Sequence, residues 1–569
     1  MSGLNLLVFR GDRRRVSGKE LKAALIARLE QSRSPISPRA LLDVLLLAGE
    51  FECGVADAYP EAAICCERLS DQIADALLIG ESAASINLDF QKPDLQSLLN
   101  CARALPAYEQ LSISIPEGFA YYALHPLAYA DIMRRIPAND RLLVVGIRSI
   151  GTTLSAIAAA AARARGIATE RITVRPQGHP YNRTVKFTTE QMATVTKAVS
   201  CGASFAVVDE GPGLSGSSFL AVAEALERAG APTEKIFLVS AHDPNINTLC
   251  AENAARRWRR FSCIPTGGEA RRPKEAEEFI GGGQWRSRHY PNEFELPASW
   301  TSFERLKYLS SGGHGERKLF KFVGLGHYGD MVFEREVKVA DAGFGLMPRI
   351  ESDGFLSYPL IGGRPLFPSD LSEEILAKIA EYCAFRQRAF AVELSNIDDL
   401  QAMAKHNLHE LGLDLPVALR LERPVIADGK MQPHEWLLSV DGKLLKTDSG
   451  SHGDDHFFPG PTDIAWDLAG AIVEWQMNEE QTTEFLNVYD RASGDHAGAR
   501  IDGFIKAYAA FRLAYCLMAV NAMTGSDEQP RLQRAVDAYR KLLKEASTCG
   551  SVSILSVARS CFITSVRRS

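Results

Sequence analysis

Between residues 110 and 262 short β-branched runs alternate with long amphipathic ones, and this alternation restricts the fold more than any other feature of the chain. LLVVGI (Leu142–Ile147) reads as a buried strand and Thr153–Arg165 as an alanine-rich helix. Ile172–Arg175 and FAVVD (Phe205–Asp209) read as strands, followed by the helix Ser217–Ala229, the strand Lys235–Ser240 and the helix Ile246–Arg260. Parallel neighbours need a crossover long enough to return the chain to the starting edge of the sheet, and a helix supplies it. The expectation is a mostly parallel sheet with helices on both faces.

The flanking sequence has other rhythms. Residues 1–95 carry apolar positions at helical spacing, as in Gly18–Gln31 and Arg39–Gly49, and read as a helical accessory domain. The sheet domain spans 96–263, and the Gly-, Pro- and charge-rich stretch 264–300 reads as a linker. Phe303–Ser310 and Arg317–Val323 read as two strands joined by SGGHG, followed by the helix Met331–Ala342 and the strand Phe355–Leu360. These make a small β-rich lobe over 301–366. Residues 367–569 are mainly helical, with a β-rich insert at Pro424–Thr447 turning at Asp441-Gly442. The fold class expected is multidomain: a helical N-terminal region, an α/β parallel-sheet domain and an α+β two-lobed domain.

Composition narrows the partners. With 569 residues, 46% hydrophobic and 24% charged, the chain is long enough for more than one core and is neither disordered nor collagenous. A net charge of −6 argues against a general polyanion binder, and RRWRRF (Arg256–Phe261) reads as a helix face rather than a nucleic-acid site. Eleven cysteines without any C-x-x-C point to free thiols in a reducing, cytoplasmic setting. The start MSGLNLLVFRGDRRR lacks the order of a secretory signal, and the run Leu154–Ala162 is too short to span a bilayer. Small-molecule substrates, no membrane and no nucleic acid are expected; a homo-oligomer is left open.

The run FAVVDEGPGLSGSSF ends a strand in two acids, Asp209 and Glu210, and continues through a small-residue loop into a helix. Adjacent carboxylates at a strand's carboxyl end suit two ribose hydroxyls. A loop carrying Gly213, Ser215, Gly216, Ser217 and Ser218 before a helix N-terminus suits a phosphate. The segment resembles the ribose-phosphate motif of the type I phosphoribosyltransferase family, with a loop one residue longer than usual and a proline, Pro212. The resemblance implies that Arg148, Ser149 and Gly151 in LLVVGIRSIGTT contact pyrophosphate. It also implies a mobile basic cover from VRPQGHPYNRTVK, with Arg175, His179, Arg183 and Lys186. The implied ligands are phosphoribosyl pyrophosphate (PRPP) and Mg²⁺, and the implied reaction is displacement of pyrophosphate by a small acceptor.

Farther on, the residue types needed for phosphoryl transfer from ATP occur in order. Lys321 lies in KLFKFV, Glu334 and Glu336 follow on a helix, and FLSYPL with Tyr358 reads as a hinge. Asp428 lies in a loop between strands, Asp448 follows the strand KLLKT, and Asp467 opens a helix in WDLAGA. This order resembles the aminoglycoside phosphotransferase branch of the protein-kinase-like fold. The resemblance implies that Lys321, Glu336 and Tyr358 serve ATP, that Asp428 is catalytic and that Asp448 binds Mg²⁺. Where that family has His or Arg before the catalytic Asp and Asn after it, this chain has Ile426 and Pro433. Either His434 or Glu435 then replaces that Asn as a metal ligand, or metal binding is impaired. SHGDDHFF (Ser451–Phe458) reads as a polar loop, with a His/Asp metal or substrate site as the alternative. Either SGGHG or the G-x-G-x-x-G of Gly324–Gly329 could touch phosphate. The function expected is a bifunctional enzyme for phosphoribosyl transfer and ATP-dependent phosphorylation; the alternative is a nucleotide- or PRPP-sensing regulator with a degraded kinase-like domain.

Overall fold

The computed structural model describes residues 4–548, apart from 12, 33–35, 83–94, 138–139, 214, 268–270, 311–315, 394, 396 and 454. The SGGHG turn, Asp454 and the segment from Ser551 therefore lie outside the described residues. The chain forms two compact units, Asp12–Arg272 with Gly324–Gly329, and Met1–Gly11 and Pro273–Val323 with Asp330–Ser569. This division differs from the expected 1–95, 96–263, 264–300, 301–366 and 367–569.

In the first unit the parallel sheet is present. Five strands run in the spatial order Ala168–Val174, Arg141–Ile147, Ser204–Val208, Ile236–Ser240, Ser262–Pro265, every neighbouring pair parallel. All of Ser204–Val208 and Ile236–Ser240 is buried, as β-branched runs covered on both faces require. One side packs Phe205, Val207 and Leu238 against Phe219, Val222 and Leu226 of the helix Ser217–Arg228. The expected helix Ile246–Arg260 is a short helix, Ala254–Trp258, preceded by a 3-10 turn, Ile246–Thr248. Asn253 at φ 53° breaks the run between them. The last strand, Ser262–Pro265, extends the sheet into the stretch expected as linker.

The N-terminal helices belong to this unit. Glu52 on the helix Pro38–Ala58 and Asp71 on the helix Ala63–Ser82 hold Arg171 of the edge strand at 2.7 and 2.8 Å. A buried guanidinium requires such partners, so these helices cover the sheet rather than form a separate body. Gly324–Gly329 is a packed turn of the same unit: Leu325 N–H donates to Phe119 O at 2.9 Å. A Cβ on Gly326 would lie 2.7 Å from Asp43 Oδ1, and Gly326 sits at φ 54°. Close packing thus accounts for glycine at Gly326.

The second unit opens on an antiparallel sheet in the order Glu278–Phe279, Lys307–Leu309, Lys318–Phe322, Phe355–Pro359, Arg349–Ile350. The helix His327–Asp341, of which the residues from Asp330 on belong to this unit, follows the third strand. The stretch expected as linker is instead anchored, with the buried Arg286 pairing with Glu528 through both guanidinium nitrogens. The larger, mainly helical part surrounds a core of Trp436, Trp466, Trp475, Phe485 and Tyr508. It carries the hairpin Trp436–Ser439 with Leu444–Lys446, and the paired strands Pro424–Ile426 and Pro461–Asp463. The first residues dock here: Val8 is fully buried, its carbonyl takes Phe458 N–H at 2.9 Å, and Arg10 N–H donates to His456 O at 2.8 Å. The apolar helix Ile501–Ala522 is long enough to cross a membrane, and 67% of its most apolar window is buried in the protein.

Candidate functional sites

In the sheet unit, Asp209 and Glu210 leave the carboxyl end of the central strand, as the sequence predicts. Tyr129 Oη–H donates to Asp209 O at 2.7 Å and Glu210 N–H donates to Asp209 Oδ1 at 2.9 Å. Burial raises both carboxyls to about 7, with Asp209 adding to the shift at Glu210 and the Arg175 and Arg183 charges opposing it at Asp209. Gly151 must lack a side chain: a Cβ there would meet Val208 O at 2.7 Å and Asp209 Oδ1 at 3.2 Å. Ser149, two residues earlier, sits at φ 119°, a strained backbone for a residue with a side chain. Strain of about 1–3 kcal/mol persists only where the surroundings enforce it, and it concentrates at ligand sites.

The loop is fixed by the hairpin Gln177–His179 and Asn182–Thr184. Ser215 and Ser217 Oγ both donate to Pro180 O, at 2.8 and 2.5 Å. Gly213 and Gly216 take left-handed φ of 55° and 69°. Ser218 is half-buried in the first turn of the following helix. The basic residues divide. Arg175 binds Asp57 at 2.6 Å and Arg148 O at 2.8 Å, and Arg148 binds Asp57 at 3.2 Å and Ala56 O at 2.8 Å. Both guanidiniums thus brace the Ser149 turn rather than point at a ligand. Arg183 is half-buried and its charge acts on Asp209, whereas Lys186 and His179 are exposed. Nothing local in the sequence marks Asp57 as the acid that takes both arginines.

In the second unit, the structure gathers Lys321, Glu336, Asp428 and Asp448 with Lys307, Lys446 and Ser451. Lys321 Nζ lies 2.8 Å from Asp448 Oδ1 and donates to Ser451 Oγ at 2.9 Å. Glu336 accepts from Gly450 N–H at 2.8 Å and Ser449 Oγ at 3.1 Å, and bears on Lys321 by its charge. Lys307 Nζ donates to Asp448 Oδ2 at 2.8 Å. Burial alone would raise Asp448, but Lys307 and Lys321 hold it well below the usual carboxylate range. Tyr358 is half-buried on the strand beside Lys321's and lies in the fields of Glu336 and Asp448.

Asp428 is fully buried. It accepts Tyr382 Oη–H at 2.5 Å and faces Lys446 at 3.4 Å and Arg386 at 3.8 Å. These cations overcome the upward push of burial and keep it ionised. Asp467 takes the N–H groups of Asp428 and Gly429 at 2.8 and 2.9 Å and fixes the loop; burial raises it to about 6. The His/Asp loop is brought in as well: His452 Nδ1 is 3.9 Å from Asp428 Oδ1 and Nε2 is 3.9 Å from Asp448 Oδ2. Burial holds this ring neutral, with its pKa lowered to about 3.

The expected metal set comes together only in part. Asp448 and Glu435 act on one another, while His434 stacks on Trp285 at 6.2 Å and is 4.0 Å from Glu435 Oε1. Among the described residues no three His, Cys, Asp or Glu side chains converge on a cation position. Glu435 Oε2 accepts from Thr447 Oγ1 at 3.3 Å, the residue before Asp448, so two carboxylates of the expected set, the kind of hard oxygen donor Mg²⁺ takes, stand near one another. Sequence reasoning missed Lys307, Lys446, Arg386 and Tyr382. Only Lys307 left a trace, as the lysine opposite Lys321 in the strand register.

No protein-family model matches the chain, and a search of curated proteins finds no match. Solved structures give weak likenesses. A choline/ethanolamine kinase family protein from Mesorhizobium loti is 16% identical over 45% of this chain and 90% of that one, at a TM-score of 0.31. The choline kinase LicA from Streptococcus pneumoniae is 15% identical over 41% and 89%, at 0.25. A macrolide 2'-phosphotransferase type I is 13% identical over 41% and 86%, at 0.29. Likeness at these scores assigns neither fold nor chemistry.

Proposed function

We propose that the second unit is an ATP- and Mg²⁺-dependent phosphotransferase acting on a small-molecule hydroxyl. The observation that carries it is the convergence of Lys321, from the third strand of an antiparallel sheet, with the loop carboxylate Asp428 and the post-hairpin carboxylate Asp448. In this reading Lys321 binds the ATP phosphates, and Asp448 with Glu435 holds Mg²⁺, which when bound neutralises charge on the transferred phosphoryl group. Asp428, kept ionised, orients the acceptor hydroxyl and takes its proton. The acceptor oxygen bonds to the γ-phosphorus, the bond from that phosphorus to the β–γ bridging oxygen breaks, and ADP leaves. A phosphate-covering loop precedes the lysine strand in such enzymes, so Gly281–Gly283, directly after the first strand, suits that role by chain order. ADP release tests the reading: Asp428→Asn lowers it sharply, and turnover unchanged by that substitution excludes the proposed chemistry.

A second reading concerns the sheet unit, which we infer binds PRPP with Mg²⁺ for transfer to a small acceptor. It rests on Asp209 and Glu210 at the carboxyl end of the central strand, beside the strained Ser149 turn and Arg183. Calorimetry with PRPP and Mg²⁺ tests it, since binding equal in wild type and Asp209→Asn/Glu210→Gln removes the site.

A further inference from the structure

The loop that follows Asp448 is tied down residue by residue. Ser449 Oγ donates to Glu336 Oε2 at 3.1 Å, Gly450 N–H donates to Glu336 Oε1 at 2.8 Å, and Ser451 Oγ accepts from Lys321 Nζ at 2.9 Å. Gly453 lies against the backbone of Ala427, the residue before Asp428: a Cβ there would fall 1.5 Å from Ala427 O. Any side chain at this position would push the loop away from the Asp428 turn.

His452 stands between these anchors, and its side chain is only 8% exposed. Its ring spans the two carboxylates of the site: Nδ1 is 3.9 Å from Asp428 Oδ1 and Nε2 is 3.9 Å from Asp448 Oδ2. At these separations the ring acts on both carboxylates without a hydrogen bond to either. Nδ1 is buried and has no hydrogen-bond partner among the described residues. A buried polar atom left open in an otherwise anchored loop calls for a partner that arrives with the ligand. In the phosphotransferase reading Asp428 meets the acceptor hydroxyl and Asp448 holds the metal on the ATP phosphates, so the phosphoryl group in transit passes between them, beside His452. Resting on that reading, we propose that His452 is a further catalytic residue, whose ring N–H donates to an oxygen of the transferred phosphoryl group. An imidazole carries an N–H in either tautomer. No bond forms to the ring and its proton stays on it, so the covalent change remains the exchange at phosphorus given above. A donor held in place for the charge on that group favours the transfer more than it favours bound ATP.

The test is calorimetry on the full chain with ADP and Mg²⁺, with and without aluminium fluoride, which mimics the phosphoryl group in transit. Wild type binds ADP·Mg²⁺, and aluminium fluoride tightens that binding. His452→Ala binds ADP·Mg²⁺ as wild type does but loses about 10²-fold of the tightening, the scale of one removed donor. His452→Asn, whose amide N–H takes the place of Nδ1–H, keeps more of the tightening than His452→Ala, and it carries the comparison where thermal unfolding shows that His452→Ala is not folded. Tightening of equal size in wild type and both variants overturns the assignment. So does an equal weakening of ADP·Mg²⁺ itself in the folded variants, which marks a structural or metal-organising role. If wild type binds ADP·Mg²⁺ and only the dependence on His452 is missing, this contact falls and the phosphotransferase reading stands; if wild type does not bind ADP·Mg²⁺, the phosphotransferase reading falls.

Discussion

Lys321 Nζ reaches Asp448 Oδ1, 2.8 Å away. Lys307 grips the other oxygen of the same carboxylate, also at 2.8 Å. Without ligand, two ammonium groups thus neutralise Asp448. In the proposed phosphotransferase reading, Asp448 would hold Mg²⁺ and Lys321 would turn to the ATP phosphates.

Lys321→Met therefore weakens ATP binding by roughly tenfold to a hundredfold, the scale of a lost charge-assisted contact. Lys307→Gln behaves differently. It removes a competitor of the metal at Asp448, and the Mg²⁺ concentration needed for half-maximal ATP binding falls. Titration of ATP at several Mg²⁺ levels separates the two effects.

Asp428→Asn lowers kcat by about 10²–10⁴, the usual range for a group that handles a proton, with little change in KM for ATP. It also destabilises this unit at pH 7 by on the order of 3 kcal/mol, because Lys446 and Arg386 lose their carboxylate partner. The carboxyl is depressed in the folded state, so its contribution is present above the unfolded carboxylate pKa and is lost as pH falls through the lower folded value. The stability gap between wild type and variant, measured by denaturant unfolding, closes toward acid pH.

His452 and His456 give acid sensitivity of a second kind. Burial holds both rings neutral, at about 3, against an ordinary value of about 6.5. Between these values the unfolded chain binds protons that the folded chain does not, so stability rises with pH across that window and is lost on acidification. His452→Gln/His456→Gln flattens the dependence of the unit's melting temperature on pH between 4 and 6.5.

Much of this arrangement is legible in the sequence, for identifiable reasons. The strands Arg141–Ile147 and Ser204–Val208 announce themselves because burial on both faces demands unbroken apolar runs. Asp209, Glu210, Lys321, Asp428 and Asp448 stand out because strand ends and turns fix where their side chains go. Arg148 and Arg175 mislead because charge at a loop says nothing about which acid lies nearby; Asp57 reaches them from more than 90 residues away. The expected linker 264–300 fails for a related reason: Gly- and Pro-rich sequence with one buried arginine, Arg286, looks unstructured until Glu528 is folded against it.

Asp209→Asn/Glu210→Gln stabilises the sheet unit above pH 7. Each carboxyl is raised to about 7, so ionising it costs folding free energy as pH rises from the unfolded value, and the neutral amides escape that cost. An increase of about 1–3 kcal/mol, discounted for partial exposure, together with loss of PRPP binding is the pattern of a site held for function rather than stability.

The most direct test of the central claim is calorimetric titration of ATP, with and without Mg²⁺, into wild type and Asp448→Asn. The convergence of Lys321 and Asp448 predicts that wild type binds ATP tightly only with Mg²⁺ and that Asp448→Asn loses the Mg²⁺-dependent gain. ATP binding absent from wild type, or a Mg²⁺-dependent gain of equal size in Asp448→Asn, contradicts it.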